Sequence, residues 1–106
     1  MSKDGYNGWT NYETWNVALW WGQSGMDGYW YGEAESLLSY ADEDADDYKD
    51  DVIRALADQM KEQTTEEMPV VTGMWADLLM AAMGNVNWRE IAEGVVEEVM
   101  ADRKAG

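Results

Sequence analysis

The chain contains no cysteine and no histidine. The first absence excludes disulfides and thiolate metal sites and fits a reducing compartment. The second removes both the commonest general base and the commonest metal ligand. Basic residues are scarce: 7 Lys and Arg stand against 22 Asp and Glu, a formal charge of −15. A surface of that sign repels nucleic acid and anionic lipid and attracts basic partners. It also opposes compaction by self-repulsion, so it calls for a use, for solubility or for a salt-adapted host. The acids here are partly clustered, whereas salt adaptation would spread them evenly. No apolar run approaches the ~20 residues of a membrane span, and Met1 to Tyr6 has no apolar signal-peptide core. With 106 residues the chain has enough material for one compact domain and too little for two.

The stretch from Gly8 to Gly22 is the densest in tryptophan and is expected to organise the fold. Thr10 followed by Glu13 fits a capping box, and Asn11 competes as N-cap one residue on. Trp15, Ala18, Leu19 and Gly22 follow i, i+3, i+4, i+7, one face of a helix over about 11–21, and Gly22 suits the left-handed turn that ends it. The plain reading is that these aromatics pack in a core; the other is an exposed aromatic ridge used for binding.

Residues 1–8 read as a loose polar arm. After a turn-rich connector, a second helix is expected over about 29–41 with Trp30, Ala34, Leu37, Leu38 and Ala41 on one face, Gly32 weakening it. A third begins near Asp44–Ala45, shows Tyr48, Val52, Ile53, Leu56, Ala57 and Met60 at core spacing, and fades near Gln63. Pro69 stops any helix before it, and Val70-Val71 is too short to make a sheet. A fourth helix spans about 73–83, Trp75, Leu78, Leu79 and Ala82 facing inward and Gly84 as its cap. The last opens at Asn87 with Glu90 three residues on, a second capping box, and runs to about Asp102. Trp88, Ile91, Ala92, Val95 and Val99 form its core stripe; Glu90, Glu93, Glu97 and Asp102 form an acidic outer side. The expectation is an all-α single domain over 1–106, of about five helices around a Trp-rich core.

Two segments resemble a known family. Asn11-Tyr12-Glu13-Thr14-Trp15-Asn16-Val17-Ala18-Leu19-Trp20 is similar to the signature of small acidic proteins from bacteriophages, plasmids and related mobile elements. Ala76-Asp77-Leu78-Leu79 with Val86-Asn87-Trp88-Arg89-Glu90-Ile91-Ala92 resembles the C-terminal half of the same family. Relatives often carry a short acidic and aromatic stretch after the first motif; here residues 22–32 are Gly-rich instead. The resemblance implies no catalytic residues and no established activity. It implies a mobile-element setting and hence the cytoplasm of a bacterial or archaeal host. By analogy of class, small acidic proteins in that setting look like DNA mimics that block restriction enzymes or CRISPR effectors.

Candidate chemistry is thin. Asp42-Glu43-Asp44-Ala45-Asp46-Asp47 begins like a calcium loop, but its sixth position is Asp47 where Gly belongs and its twelfth is Ile53 where Glu belongs. No metal, cofactor or catalytic residue is expected: carboxylate pairs in an acidic chain are unspecific, and Ser24, Ser36 and Ser39 have no base beside them. Trp and Tyr stacking on bases requires a positive groove, and the bases here are scattered among acids. The acidic run itself is either a solvated face or a phosphate-like array. Carboxylates three or four residues apart on a helix lie roughly 4.5–6 Å apart along the axis, against ~3.4 Å per phosphate on one DNA strand. The expected partner-binding residues are Asp42, Glu43, Asp46, Asp47, Asp50 and Asp51, with Glu90, Glu93 and Glu97 as a second patch. The expected partner is the basic surface of a host nucleic-acid-binding protein, a CRISPR effector or restriction enzyme. The alternative is an acidic adaptor that binds a host or phage protein outside any DNA channel.

Overall fold

A computed structural model describes residues 8–42 and 44–105. The expected arm over 1–8 lies outside them apart from Gly8. The described residues form five helices and no strand: α1 (Tyr12–Ser24), α2 (Met26–Tyr40), α3 (Tyr48–Glu67), α4 (Met74–Asn85) and α5 (Trp88–Ala105). The chain is all-α, with an aromatic cluster in its core.

The inner three helices follow from their apolar spacing. Trp30, Ala34 and Leu38 on α2 are buried, as are Val52, Ile53, Leu56, Ala57 and Met60 on α3, and Trp88, Ile91, Ala92, Val96 and Val99 on α5. In each helix these positions recur at three- and four-residue steps, the condition for one face to meet a common core. α5 packs against both α2 and α3, and α2 against α3. On α5 Val96 takes the fully buried place expected of Val95, which is only half-buried.

The outer two helices depart from expectation. α1 does not present Trp15, Ala18, Leu19 and Gly22 to a core of its own. Its inner row is Thr14, Val17 and Trp21, also at i, i+3, i+7, one residue out of phase with the expected stripe. Thr14 is its one buried residue; Leu19 is exposed and Trp20 is 61% exposed. The run Trp15-Asn16-Val17-Ala18-Leu19-Trp20-Trp21 is apolar on nearly every side, so hydrophobicity does not fix its phase. The helix also passes through Gly22. It ends at Gly25, whose φ of 87° supplies the left-handed turn, because glycine permits that conformation without requiring it. α2 then starts at Met26, three residues before the expected position.

α3 begins at Tyr48, later than expected, and runs on to Glu67, just before Pro69. α4 continues through the expected cap Gly84 to Asn85 and contains no buried residue. Trp75 is 66% and Leu78 56% exposed, so their expected inward placement is corrected. Among the helices, the backbone of α4 comes within packing distance of α1 alone, and a single neighbour cannot cover a helix that is apolar all round.

Candidate functional site

The structure separates the expected acidic residues into three groups. Asp42, Asp46 and Asp47, with the neighbouring Asp44 that was not among the expected residues, are exposed in the turns between α2 and α3, and none forms an ion pair with a described residue. Glu43 lies outside the described residues. Asp50 and Asp51 stand in the first turn of α3, where acids favour the positive end of the helix, but both are neutralised locally. Arg54 reaches Asp50 at 3.1 Å and Asp51 at 3.5 Å, and Arg89 of α5 pairs with Asp50 as well. Hydrogen bonds from Arg89 and then Arg54 hold the Asp50 carboxyl below its ordinary value, and the same pair raises Arg89. Lys49 meets Glu97 at 3.5 Å, and Glu93 is half-buried. Among the described residues, only Asp50 and Asp51 of the first patch and Glu97 of the second are joined through ion pairs at the α3–α5 junction. Arg89, Arg54 and Lys49 interleave them, so the junction is a mixed-charge seam and no uniform array. Among the described residues no group of three carboxylates is placed to hold a metal ion.

Glu90 requires a correction. It was expected on the outer side of the last helix, yet it is only 7% exposed. Its Oε1 accepts the Thr10 N–H at 3.1 Å, and its own N–H donates to Asn87 Oδ1 at 3.1 Å. It belongs to a polar clasp that joins the starts of α1 and α5. Asn11 caps α1, accepting the Thr14 N–H at 2.9 Å, so the competing cap prevails over Thr10. The Thr14 hydroxyl donates to the same Asn11 oxygen at 2.6 Å and accepts the Asn87 N–H at 2.8 Å. Asn11 Nδ2 donates to the Asn85 carbonyl at 2.7 Å. Two helix N-termini and one helix C-terminus thus satisfy one another's orphan groups. Asn11, Thr14, Asn87 and Glu90 come from the two sequence motifs noted above, with Thr10 and Asn85 immediately beside them; the motifs are far apart in the chain and adjacent in the fold.

A second cross-link ties α2 to α5: the Tyr31 hydroxyl donates to Asp102 Oδ2 at 2.5 Å. That bond, chiefly, pushes the Tyr31 phenol from its ordinary 10.0 up to about 12. A raised pKa means that the folded chain holds this proton more tightly than the unfolded one. The contribution is complete below pH 10.0 and lost as pH rises towards about 12. In an ultraviolet tyrosinate titration, Tyr31→Phe should remove a phenol that ionises near pH 12. The difference in unfolding midpoint between the two proteins should be constant below pH 10.0 and shrink above it; a constant difference across the whole range would refute this role.

The feature missed in the sequence is the apolar face of α4, which continues the exposed aromatic ridge weighed for α1. Met74, Trp75, Leu78 and Met80 of α4 are exposed large hydrophobics, as are Leu19 and Trp20 of α1. Between the two helices a groove of about 220 Å³ is walled by Tyr12, Asn16 and Val17 on one side and Leu79, Ala82 and Met83 on the other. Trp20 lies one turn beyond Asn16 and Val17, and Trp75 one turn before Leu79, so both helical rows continue outside the groove as exposed tryptophans. The signal was present in the sequence. α4 carries a single charge, Asp77, and has no polar face, the mark of a helix that needs cover on more than one side.

No helix of the described residues is long and apolar enough to cross a membrane. No curated protein and no solved structure matches the chain. A model of a family of unknown function does, over residues 2–103, a span that takes in both motifs, the clasp between them and every helix of the core. The chain therefore belongs to that family of unknown function, DUF7249.

Proposed function

We propose that this protein is an acidic adaptor that binds a basic host or phage protein through the exposed apolar face of α4 and the adjoining side of α1. The observation that carries this reading is that the most apolar of the five helices buries none of its residues. A contiguous exposed apolar face of this kind marks a site of protein association. Trp75 and Trp20 supply the large aromatic anchors that dominate such interfaces, and the surrounding charge steers a basic partner towards them. The mobile-element setting suggested by the sequence motifs supplies the context, in which the partner is a host or phage protein.

The second reading, a DNA mimic of anti-CRISPR or anti-restriction type, is favoured by one observation: Asp42, Asp44, Asp46 and Asp47 are exposed and without cation partners among the described residues. The two readings separate on a partner identified by pull-down from host lysate. Leu78→Asp should weaken that complex about tenfold or more while leaving the thermal midpoint within a few degrees, because Leu78 is largely exposed. Asp42, Asp46 and Asp47 changed together to Asn should slow association and leave the complex standing. Asp50 is left out because its loss would unpair Arg89 and take one of two carboxylates from Arg54. If the Asn variant abolishes binding, Leu78→Asp does not, and DNA competes for the partner, the mimic reading replaces the adaptor.

A further inference from the structure

A different surface carries a ligand site of defined chemistry. Where α1, α2 and α5 meet, a cavity of about 290 Å³ opens to solvent, lined by Trp9, Trp21 and Trp30, with Asp27 and Glu98 also contributing to it. That volume is near the lower end of small-molecule pockets, about 300 Å³. Trp21 and Trp30 pack on one another, 5.4 Å apart between ring centroids and 40° apart in plane, and Trp9 and Trp21 are the half-buried aromatics of the wall. Trp30, 1% exposed, is the most deeply buried of the three. Its Nε1–H has no hydrogen-bond partner among the described residues. Asp27 and Glu98 are exposed, and Asp27 is steadied by the Gly28 N–H, which donates to its Oδ1 at 2.8 Å. Among the described residues no lysine or arginine lines the cavity.

We propose that this pocket binds an alkylammonium group, either a free quaternary amine or a lysine side chain presented by a protein. Tryptophan faces are the best aromatic surface for a cation, because the ring quadrupole is negative over the face. Two carboxylates supply the counter-charge. Each alternative ligand class meets an obstacle here. An anion is repelled by both acids. A neutral apolar ligand leaves the charge of the two carboxylates unused. An ammonium carrying methyl or methylene groups satisfies the tryptophans with its carbons and the acids with its charge. The site does not depend on the α4 face, which lies on other residues, so either assignment can fail without the other.

The test is a tryptophan-fluorescence and calorimetric titration of the full chain with choline, against 3,3-dimethylbutanol, its neutral isostere, at matched ionic strength. Saturable binding of choline with at least tenfold weaker binding of the isostere is the expected result; tenfold corresponds to about 1.4 kcal/mol. Trp9→Leu keeps apolar bulk while removing one aromatic face. It should weaken choline several-fold, and Asp27→Asn with Glu98→Gln should do the same, each with an unchanged helical circular-dichroism spectrum. Nα-acetyl-lysine amide and its trimethyl form then separate the two sources. Tighter binding of the lysyl amides than of choline assigns the site to a protein-borne side chain, and the reverse to a free amine. Equal affinity for choline and the isostere, or no saturable binding of any of these cations, overturns the proposal.

Discussion

Trp30→Ala should lower the stability of this protein by about 3–5 kcal/mol, the range for deleting a fully buried aromatic. Trp30 sits where α1, α2 and α5 converge, in ring contact with Trp21 at 5.4 Å and Tyr29 at 4.8 Å. Its removal leaves a void that helices fixed by other contacts cannot close. For a domain of this size each kcal/mol moves the thermal midpoint by roughly 4–8 °C, so a fall of about 15 °C or more is expected. Trp20→Ala is the matched control. The same side chain at 61% exposure should change stability by only about 0.5 kcal/mol. Thermal melts of the two variants followed by circular dichroism decide the matter. Equal shifts would mean that the placement of the tryptophans is wrong.

Thr14→Val has the second largest expected effect. Valine keeps the shape of threonine and deletes a hydroxyl that is wholly buried. That hydroxyl is the acceptor for the Asn87 N–H and a donor to Asn11. Its loss orphans a partly buried donor, at about 1–3 kcal/mol, and removes one further hydrogen bond, for a combined cost of about 2–4 kcal/mol. Thr14→Ser restores both bonds and should recover most of the loss. The damage should be uneven. α4 is held through α1 and through the Asn11–Asn85 bond, so amide hydrogens of α1 and α4 should exchange faster while those of α2, α3 and α5 keep their protection. Uniform loss of protection would show that the clasp belongs to one cooperative unit with the core.

The clasp also accounts for the spacing of the two sequence motifs. Asn11 and Asn87 are both helix N-caps, and each is recognisable as a cap from its own neighbourhood. What no local reading supplies is that one threonine hydroxyl serves both. The same holds for Glu90. As the third residue of a helix it reads as half of a local capping box, with its carboxylate turned outward. Its amide does complete the cap on Asn87, but the carboxylate turns to the Thr10 N–H instead, because the start of α1 is packed against it.

The sequence by itself determined the all-α class, the N-cap at Asn87, and most of the buried positions of α2, α3 and α5, since regular apolar spacing on an otherwise polar helix has one way to meet a core. It also set the sign of the surface and excluded histidine and thiolate chemistry. Tertiary structure alone decided the remainder. α1 and α4 are apolar on too many sides for spacing to choose a face. The phase of α1 was set by a buried threonine whose polar needs are met by α5, and α4 was left with one helical neighbour. Asp50 looks like part of an acidic array along the chain, and only the approach of α5 makes it a partner of Arg89. Burial and charge neutralisation are properties of what packs alongside a residue, and in this chain the deciding neighbours stand some 40 to 80 residues away.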